Sequence, residues 1–207
     1  MRIFRLPLLF RLLFPGAIFR YNKDPGKVVY LTFDDGPTPG VTGTIVEVLE
    51  KEGIMATFFC SGEAAENNPG LLATIRNSRS GIANHGYRHI KGWKTGYREY
   101  IGNTRKGSEI TGSSLFRPPF GSLTPRQFFQ IRKEHRVVFW DLILYDFDPS
   151  FKPSEIVRLL KRKIRPGSVI VLHDNSNSSS PLFLGDLVRS VKEMGYTFGN
   201  LAEEAGM

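Results

Sequence analysis

The stretch that most constrains the fold is an apolar run that ends on two adjacent acids. Residues 28–37 read VVYLTFDDGP. An apolar run followed by Gly and Pro predicts a buried strand that ends in a turn. In α/β proteins the carboxyl ends of strands carry the chemistry, so Asp34 and Asp35 are candidate functional residues. Adjacent residues on a strand point to opposite sides, so we expect different roles for them unless the turn reorients one.

Composition sets broad limits on what the chain can be. Its 207 residues are enough for one domain with a substantial core, and 41% hydrophobic and 23% charged residues are ordinary for a globular protein. The net charge of +8 favours association with nucleic acid, acidic glycans or anionic lipid, or marks a basic surface without a specific partner. We do not expect nucleic acid binding, because no phosphate loop, RNA-binding aromatic motif or zinc-finger spacing is present.

The single cysteine, Cys60, excludes an intramolecular disulfide. It ends an apolar run, so we expect a small buried residue rather than a nucleophile.

The first 20 residues, MRIFRLPLLFRLLFPGAIFR, are apolar but repeatedly interrupted. Arg5, Arg11 and Arg20, with Pro7 and Pro15, break the run, which lacks the roughly 20 mostly apolar residues of a membrane-spanning helix. Arg11 also splits the apolar region that a cleavable signal peptide needs. The segment therefore closes the domain, lies on a membrane surface or is a poor signal peptide. We expect it to flank or pack on the domain over 1–24, with a single domain over 25–207, located in the cell envelope or the cytoplasm.

Strands and helices are predicted to alternate after residue 25. The predicted strands are Val28–Phe33, Ala56–Phe59, Ile82–Ala83, Leu115–Arg117, Val137–Trp140 and Ser168–Leu172. The predicted helices are Thr42–Glu52, Pro69–Arg76, Tyr97–Thr111, Pro125–Lys133, Pro153–Ile164 and Pro181–Met194. This alternation indicates βαβ units and a parallel sheet. About six or seven strands, each followed by a functional-looking residue, favour a barrel over an open sheet.

Two histidines, His85 and His89, follow the third predicted strand. On a helical turn this spacing places both imidazoles on one face, within reach of one metal ion. The motif alone is a weak signal, and two surface histidines in a loop explain it better than a metal site. Because it lies at the same end of the domain as Asp34 and Asp35, we favour a metal site made of one carboxylate and two imidazoles.

Other candidates also follow strands. His173 comes after VIVL and is either a general acid or a buried histidine bonded to backbone. Arg117 ends the fourth strand, where it can hold a carboxylate. Asp146 is the candidate partner of His173, with Asp141 and Asp148 as alternatives. The fourth histidine, His135, precedes a strand and is expected on the surface at the opposite end.

Together these motifs resemble those of the NodB-like polysaccharide deacetylases, carbohydrate esterase family four, from about residue 28 to the last helix. The motifs are TFDDG at 32–36, NHGYRH at 84–89, RPPFG at 117–121, DF at 146–147 and LH at 172–173. Their order matches the family. The resemblance implies a distorted (β/α) barrel, here of about seven units, and removal of N-acetyl groups from a polysaccharide such as peptidoglycan, chitin oligomers or exopolysaccharide.

The resemblance also implies roles for individual residues. It implies a divalent metal, zinc first and cobalt or nickel as alternatives, bound by Asp35, His85 and His89. Asp34 is then the catalytic base, held by Arg117. The general acid is His173, tuned by Asp146. Substrate contacts are implied at four further positions: the backbone N–H of Phe120 as oxyanion donor, Leu172 in the acetyl pocket, and Trp140 and Phe147.

Three positions depart from the family pattern: Phe120 replaces Tyr, Phe147 replaces Trp, and Gly86 replaces Ser or Thr. None removes a catalytic group. The expected function is therefore metal-dependent deacetylation of an N-acetylglucosamine-containing glycan. Two alternatives are an O-acetyl esterase with the same residues and a glycan-binding protein on an inactive scaffold.

Overall fold

The computed structural model describes residues 4–22 and 26–205. The strands are β1 Val28–Asp35, β2 Thr57–Cys60, β3 Gly81–Asn84, β4 Leu115–Phe116, β5 Arg136–Val137, β6 Leu142–Ile143, β7 Val169–His173 and β8 Thr197–Phe198. The α-helices are α1 Leu8–Leu12, α2 Thr42–Lys51, α3 Gly62–Asn67, α4 Pro69–Asn77, α5 Tyr97–Thr111, α6 Pro125–Ile131, α7 Pro153–Lys163, α8 Ser180–Glu193 and α9 Leu201–Ala205. Two short 3₁₀ turns cover Gly92–Lys94 and Pro119–Gly121.

Seven strands form one continuous parallel path in the order β5-β4-β3-β2-β1-β7-β6, and β8 pairs with the start of β1. Every connection between successive strands except that from β5 to β6 carries at least one helix, and the sheet curls into an incomplete barrel with the helices on the outside. The distorted (β/α) barrel of about seven units that the sequence predicts is confirmed.

The longer predicted elements agree with the structure, whereas the short ones differ. Where the sequence predicts a strand over Val137–Trp140, the structure has the two-residue strand β5 at Arg136–Val137. A second short strand that the sequence did not predict, β6, follows β5. The sequence did not predict α1, α3, β6, β8 or α9. A strand of two residues is too short to show alternation, and a helix of five or six residues is too short to show a periodic apolar face.

The outer face of the barrel buries the main core. Val29, Leu31 and Phe33 of β1 lie in one apolar cluster with Ile45 of α2 and Leu187 of α8. The β1 residues that alternate with Val29, Leu31 and Phe33 point into the barrel, as the geometry of a strand requires. Cys60 is 1% exposed at the end of β2, as the apolar run predicted.

Register aligns the carboxyl ends of the central strands. Asp34 lies opposite His173 of β7 on one side and opposite Phe59 of β2 on the other. Cys60 in turn lies opposite Asn84, which directly precedes His85. Parallel pairing therefore brings residues that are far apart in the sequence to one end of the barrel.

The described part of the N-terminal segment lies across the gap between the two sheet edges. Ile18 forms a parallel bridge with Val138 beyond β5, and Arg20 forms an antiparallel bridge with Ser168 before β7. The backbone carbonyl of Phe4 accepts a hydrogen bond of 3.0 Å from Ile143 of β6. The predicted division of the chain at residue 24 lies outside the described residues and stays a prediction. Within the described residues, no helix is long and apolar enough to cross a membrane.

Three aromatic rings of this segment pack on one ring of the barrel. The ring centres of Phe10, Phe14 and Phe19 lie 5.3, 5.1 and 5.0 Å from that of Phe139. Phe14 is 1% exposed and also contacts Phe128 of α6 at 5.2 Å. The segment is therefore part of the hydrophobic core.

We expect Phe14→Ala to destabilise the whole domain. Removing a fully buried phenylalanine costs about 3–5 kcal/mol, because the apolar contacts are lost and a cavity remains. Leu9→Ala is the matched control in the same segment, since Leu9 is 77% exposed and its truncation is expected to change stability by roughly 0.5 kcal/mol or less. Urea denaturation followed by circular dichroism measures both. Equal stability of the two variants would contradict this packing.

Candidate active site

A pocket of about 500 Å³ opens at the carboxyl end of the barrel strands. It is lined by the side chains of two acids, three histidines and several aromatic residues. The lining residues are Asp34, Asp35, His85, His89, Pro118, Phe120, Gly121, Trp140, Ile143, Tyr145, Phe147, His173, Asn175 and Asn177. Most of the residues that the sequence predicted for the site are therefore brought together.

Both adjacent acids face this pocket, although strand geometry alone would separate them. Asp34 is still in regular register with β7. Asp35 has a φ of +85°, a left-handed conformation that is rare for a residue with a side chain. This turn reorients the second carboxylate toward the first, which is the exception that the sequence left open. Backbone strain of this kind is common at functional sites.

Asp34 is bound by a fully buried arginine. Arg117 Nη1 donates to Asp34 Oδ1 at 2.6 Å and to Thr32 Oγ1 at 2.8 Å. The guanidinium also donates to the carbonyl of Phe139 and lies 3.9 Å from the ring centre of Phe59. The geometry holds one carboxylate oxygen of Asp34 in place at the pocket wall.

Asp35, His85 and His89 form a compact cluster of candidate metal ligands, with one ligand atom of each within 4.8 Å of the others. Asp35 Oδ1 lies 3.5 Å from His85 Nε2 and 3.1 Å from His89 Nε2. This oxygen, Oδ1, is buried and has no hydrogen-bond partner among the described residues. Ligand atoms at ~2.0–2.1 Å from a tetrahedral zinc ion lie roughly 3.3 Å apart, so the cluster fits a divalent cation.

Hydrogen bonding orients His85 as a metal ligand, and the electrostatic surroundings of His89 favour its neutral form. His85 Nδ1 lies 2.9 Å from the carbonyl of Arg117, which can only accept, so this nitrogen carries the proton and Nε2 is free to bind. Burial lowers the pKa of His89 to about 4, and the nearby His85 contributes. Burial opposes ionisation of Asp35, but His85, His173 and His89 hold its pKa well below its usual range.

Two asparagines that the sequence analysis missed hold the cluster in place. Asn175 Nδ2 donates to Asp35 Oδ2 at 2.6 Å, opposite the oxygen that faces the histidines. The Asn103 side chain exchanges two hydrogen bonds with the backbone of Arg88, at 2.8 and 3.0 Å. A Cβ on Gly86, where φ is +82°, would lie 2.8 Å from Asn103 Nδ2, so glycine fits this loop better than Ser or Thr.

His173 has the acid partner that the sequence favoured. Its Nδ1 lies 2.9 Å from Asp146 Oδ1, and its backbone N–H donates to Asp146 Oδ2 at 2.8 Å. Ser178 also donates to Asp146, at 2.6 Å. Burial disfavours the charged imidazole, but Asp146, and then Asp34 and Asp35, raise the pKa of His173 above its ordinary value.

The predicted substrate-contact residues divide into two groups. Phe120, Trp140 and Phe147 line the pocket, and Phe147 packs edge-on against His173 with ring centres 4.6 Å apart. Leu172 is fully buried in the outer core and is not one of the residues that line this pocket, because alternation points it away from the face of His173. The structure therefore does not place it at the predicted acetyl pocket.

Two residues considered in the sequence lie elsewhere. His135 is at the opposite end of the strands, as expected, but it is 8% exposed and packs near Phe116, so the expectation of a surface position was wrong. Asp141 is fully buried and binds Arg165 and Ser168, so it does not serve His173.

Comparison with known proteins identifies the family. A family model described as polysaccharide deacetylase matches residues 21–140. The chain belongs to the polysaccharide deacetylase family. The NodB-like resemblance predicted from the motifs is thereby confirmed.

Two relatives match this chain over most of their own length. A Bacillus cereus protein named peptidoglycan-N-acetylglucosamine deacetylase is 26% identical over 189 residues, which are 86% of this chain and 87% of the relative. A crystal structure of a peptidoglycan N-acetylglucosamine deacetylase in complex with an N-hydroxybenzamide has a TM-score of 0.82 at 28% identity, covering 91% of this chain and 92% of that one.

The family also contains proteins described as inactive. A Bacillus anthracis protein described as a pseudoenzyme of carbohydrate esterase family four has a TM-score of 0.81 at 25% identity, covering 91% of this chain and 68% of that one. The fold is therefore compatible with both states.

We expect Asn175→Ala to weaken divalent-metal binding roughly 10- to 100-fold, because a partner that orients a ligand carboxylate is lost. Asn177→Ala is the matched control: Asn177 also lines the pocket, but its bond to Asn175 comes from its backbone N–H. Calorimetric titration of metal-stripped protein with Zn²⁺ measures both. Unchanged affinity in Asn175→Ala would show that Asp35 is held in place without it.

Proposed function

We propose that this protein is a metal-dependent hydrolase that removes N-acetyl groups from a polysaccharide containing N-acetylglucosamine, of the peptidoglycan or chitin type. One observation carries the proposal: the Asp35–His85–His89 cluster shares a pocket with Asp34 and His173, each of which forms an ion pair with a fully buried partner of opposite charge. These pairs are Arg117–Asp34 and Asp146–His173. The peptidoglycan deacetylases among the relatives support the substrate class.

Asp35, His85 and His89 would hold the metal ion. A divalent cation bound there supplies a Lewis acid that polarises the acetyl oxygen and lowers the pKa of a water molecule. Zinc suits two neutral imidazoles and one carboxylate, and cobalt and nickel accept the same ligands.

Asp34 is the proposed general base. Arg117 fixes one of its oxygens at 2.6 Å, and the carboxylate remains 5% exposed at the pocket wall. It lies next to Asp35 in the chain but is not part of the ligand cluster. A positioned carboxylate of this kind removes a proton from the attacking water.

His173 is the proposed general acid on the other side of the pocket. An amine leaving group is too basic to depart without a proton, so the acid must be charged at the working pH. Asp146 accepts from Nδ1, which leaves Nε2 as the proton donor toward the substrate. The Phe147 ring restricts the imidazole from one side.

The remaining pocket residues suit a sugar substrate. Phe120 has a φ of +57°, and its backbone N–H is the proposed donor to the developing oxyanion. Its ring is 54% exposed and, together with Trp140, offers an apolar face to a pyranose. The net charge of +8 favours an acidic or membrane-proximal polymer.

We expect the protein to release acetate from N-acetylglucosamine oligomers or peptidoglycan. Asp34→Asn should lower kcat/KM by roughly 10²- to 10⁴-fold, the range of general base catalysis, and chelation should abolish turnover until metal is restored. His135→Asn is the control variant, since His135 lies at the far end of the barrel. Acetate is quantified with an enzyme-coupled assay.

The same assay separates the alternatives. Release from an acetylated xylan but not from amide substrates would replace the proposal with an O-acetyl esterase. Tight glycan binding without release from any substrate, with metal added, would indicate a binding protein on an inactive scaffold.

The pH profile tests the second ion pair. Because Asp146 raises the pKa of His173, Asp146→Asn is expected to lower it. The charged imidazole is then lost at lower pH, so the alkaline limb of kcat/KM should move to lower pH, with the acid limb unchanged. An alkaline limb that stays in place would assign it to another group.

A further inference from the structure

Helix α1 exposes a contiguous patch of leucines on the N-terminal segment. Leu8, Leu9 and Leu12 are 78%, 77% and 74% exposed, and Leu13 directly after the helix is 49% exposed. Leu8 with Leu12, and Leu9 with Leu13, are i,i+4 pairs that form two adjacent rows, and all four side chains are exposed, so they present one apolar surface on the outer side of the segment. We call these four residues the leucine patch. Exposed apolar surface that is concentrated in this way marks an interaction site.

The patch is held outward by the packing of the opposite face. Phe10 contacts Phe14, Phe19 and Phe139, with ring centres 4.9, 6.3 and 5.3 Å away. Rotating the helix to bury the leucines would remove Phe10 from this aromatic cluster. The leucines therefore remain on the surface as long as the segment is folded.

Cationic side chains lie beside the patch. Arg5 and Arg11, together with Arg165, surround the fully buried carboxylate of Asp141. Three guanidinium groups around one acid leave a surplus of positive charge. Their side chains are 31%, 28% and 39% exposed, so this charge is accessible at the surface.

A fourth arginine and an exposed aromatic ring lie near the residues that follow α1. The Arg132 guanidinium carbon lies 5.9 Å from the ring centre of Phe129, which is 49% exposed. Its Nη2 also lies 3.4 Å from the position that a Cβ on Gly16 would occupy, a few residues beyond α1. A further basic group and a further exposed ring therefore lie close to the residues that follow α1.

We propose that the leucine patch is a docking surface for a lipid bilayer that contains anionic lipids. Insertion of leucines just below the headgroups, with arginines at headgroup level, is the physical pattern of interfacial helices. Charge complementarity favours anionic lipid over a second copy of the chain, because two copies would bring surfaces of like charge together. The wall of the candidate site is close by, since Phe139 behind α1 precedes Trp140 of the pocket.

Vesicle co-sedimentation of the full chain tests this proposal. We expect binding to vesicles of phosphatidylcholine with phosphatidylglycerol, weaker binding at high salt, and little binding to phosphatidylcholine alone. The variant with Leu8, Leu9, Leu12 and Leu13 all changed to Gln should partition roughly tenfold or more weakly into the mixed vesicles. Because the four leucines are exposed, its melting temperature should equal that of the unmodified protein.

Leu182→Gln is the matched control, because Leu182 is 79% exposed on α8, away from this segment. It should bind vesicles like the unmodified protein. The single variant Leu9→Glu repeats the test with minimal disturbance if the quadruple variant folds poorly. Acetate release from soluble oligomers should be the same in all variants, so failure of the docking proposal is distinguishable from failure of the proposed activity.

Three outcomes would overturn the proposal. The first is equal binding of the control and the patch variants, and the second is equal binding to vesicles with and without anionic lipid. The third is self-association, in which analytical ultracentrifugation finds a dimer that the Gln substitutions dissociate while no vesicle binds.

Discussion

The rest of the site depends on the hydrogen bonds of one buried residue, Arg117. Its guanidinium binds Asp34 at the end of β1, and its backbone carbonyl binds His85 Nδ1 after β3. One residue therefore positions both the proposed base and one proposed metal ligand. A fully buried cation of this kind needs a matched charge and acceptors for its donors. Asp34 supplies the opposite charge, and Asp34, Thr32 and the Phe139 carbonyl accept from Nη1 and Nη2, whereas Nε has no partner among the described residues. The same contacts tie β1, β4 and the segment after β5 together.

Much of the site could be predicted because parallel strands deliver their final residues to one end of the barrel. Each of four site residues lies at the end of a strand that the sequence predicts or directly after it: Asp34, His85, Arg117 and His173. Their convergence at one end of the barrel therefore follows from the fold class. Asn175 could not be found in this way. It lies in a polar Asn/Ser loop without periodicity, and its contact exists only because the positive φ of Asp35 turns that carboxylate toward it.

The limits of prediction for Leu172 and the N-terminal segment have different physical origins. Leu172 is adjacent to His173, and strand alternation sends the two side chains to opposite faces. The sequence of the N-terminal segment was compatible with three interpretations, because an apolar run with arginines fits a protein core, a bilayer surface or a signal peptide. The structure shows that its aromatic residues and its leucines lie on different faces: Phe10 and Phe14 pack inward, and Leu8 and Leu12 point outward. Composition alone could not show that one face of this short segment is buried in the core while the other is exposed to solvent.

The two proposed histidine functions show how one residue type acquires opposite properties in one pocket. His89 is partly buried next to His85, a second imidazole, and its pKa is lowered to about 4, which keeps it neutral as a metal ligand must be. His173 is more deeply buried, yet its pKa is raised, because Asp146 accepts from its ring and two further carboxylates lie nearby. Burial lowers the pKa of both rings, and Asp34 and Asp35 raise it at both. The sign of each shift is therefore decided by the group beside each ring, which is a second imidazole at His89 and the hydrogen-bonded Asp146 at His173. Separating the pKa values of like groups in this way is what a site needs to bind a cation and donate a proton at the same pH.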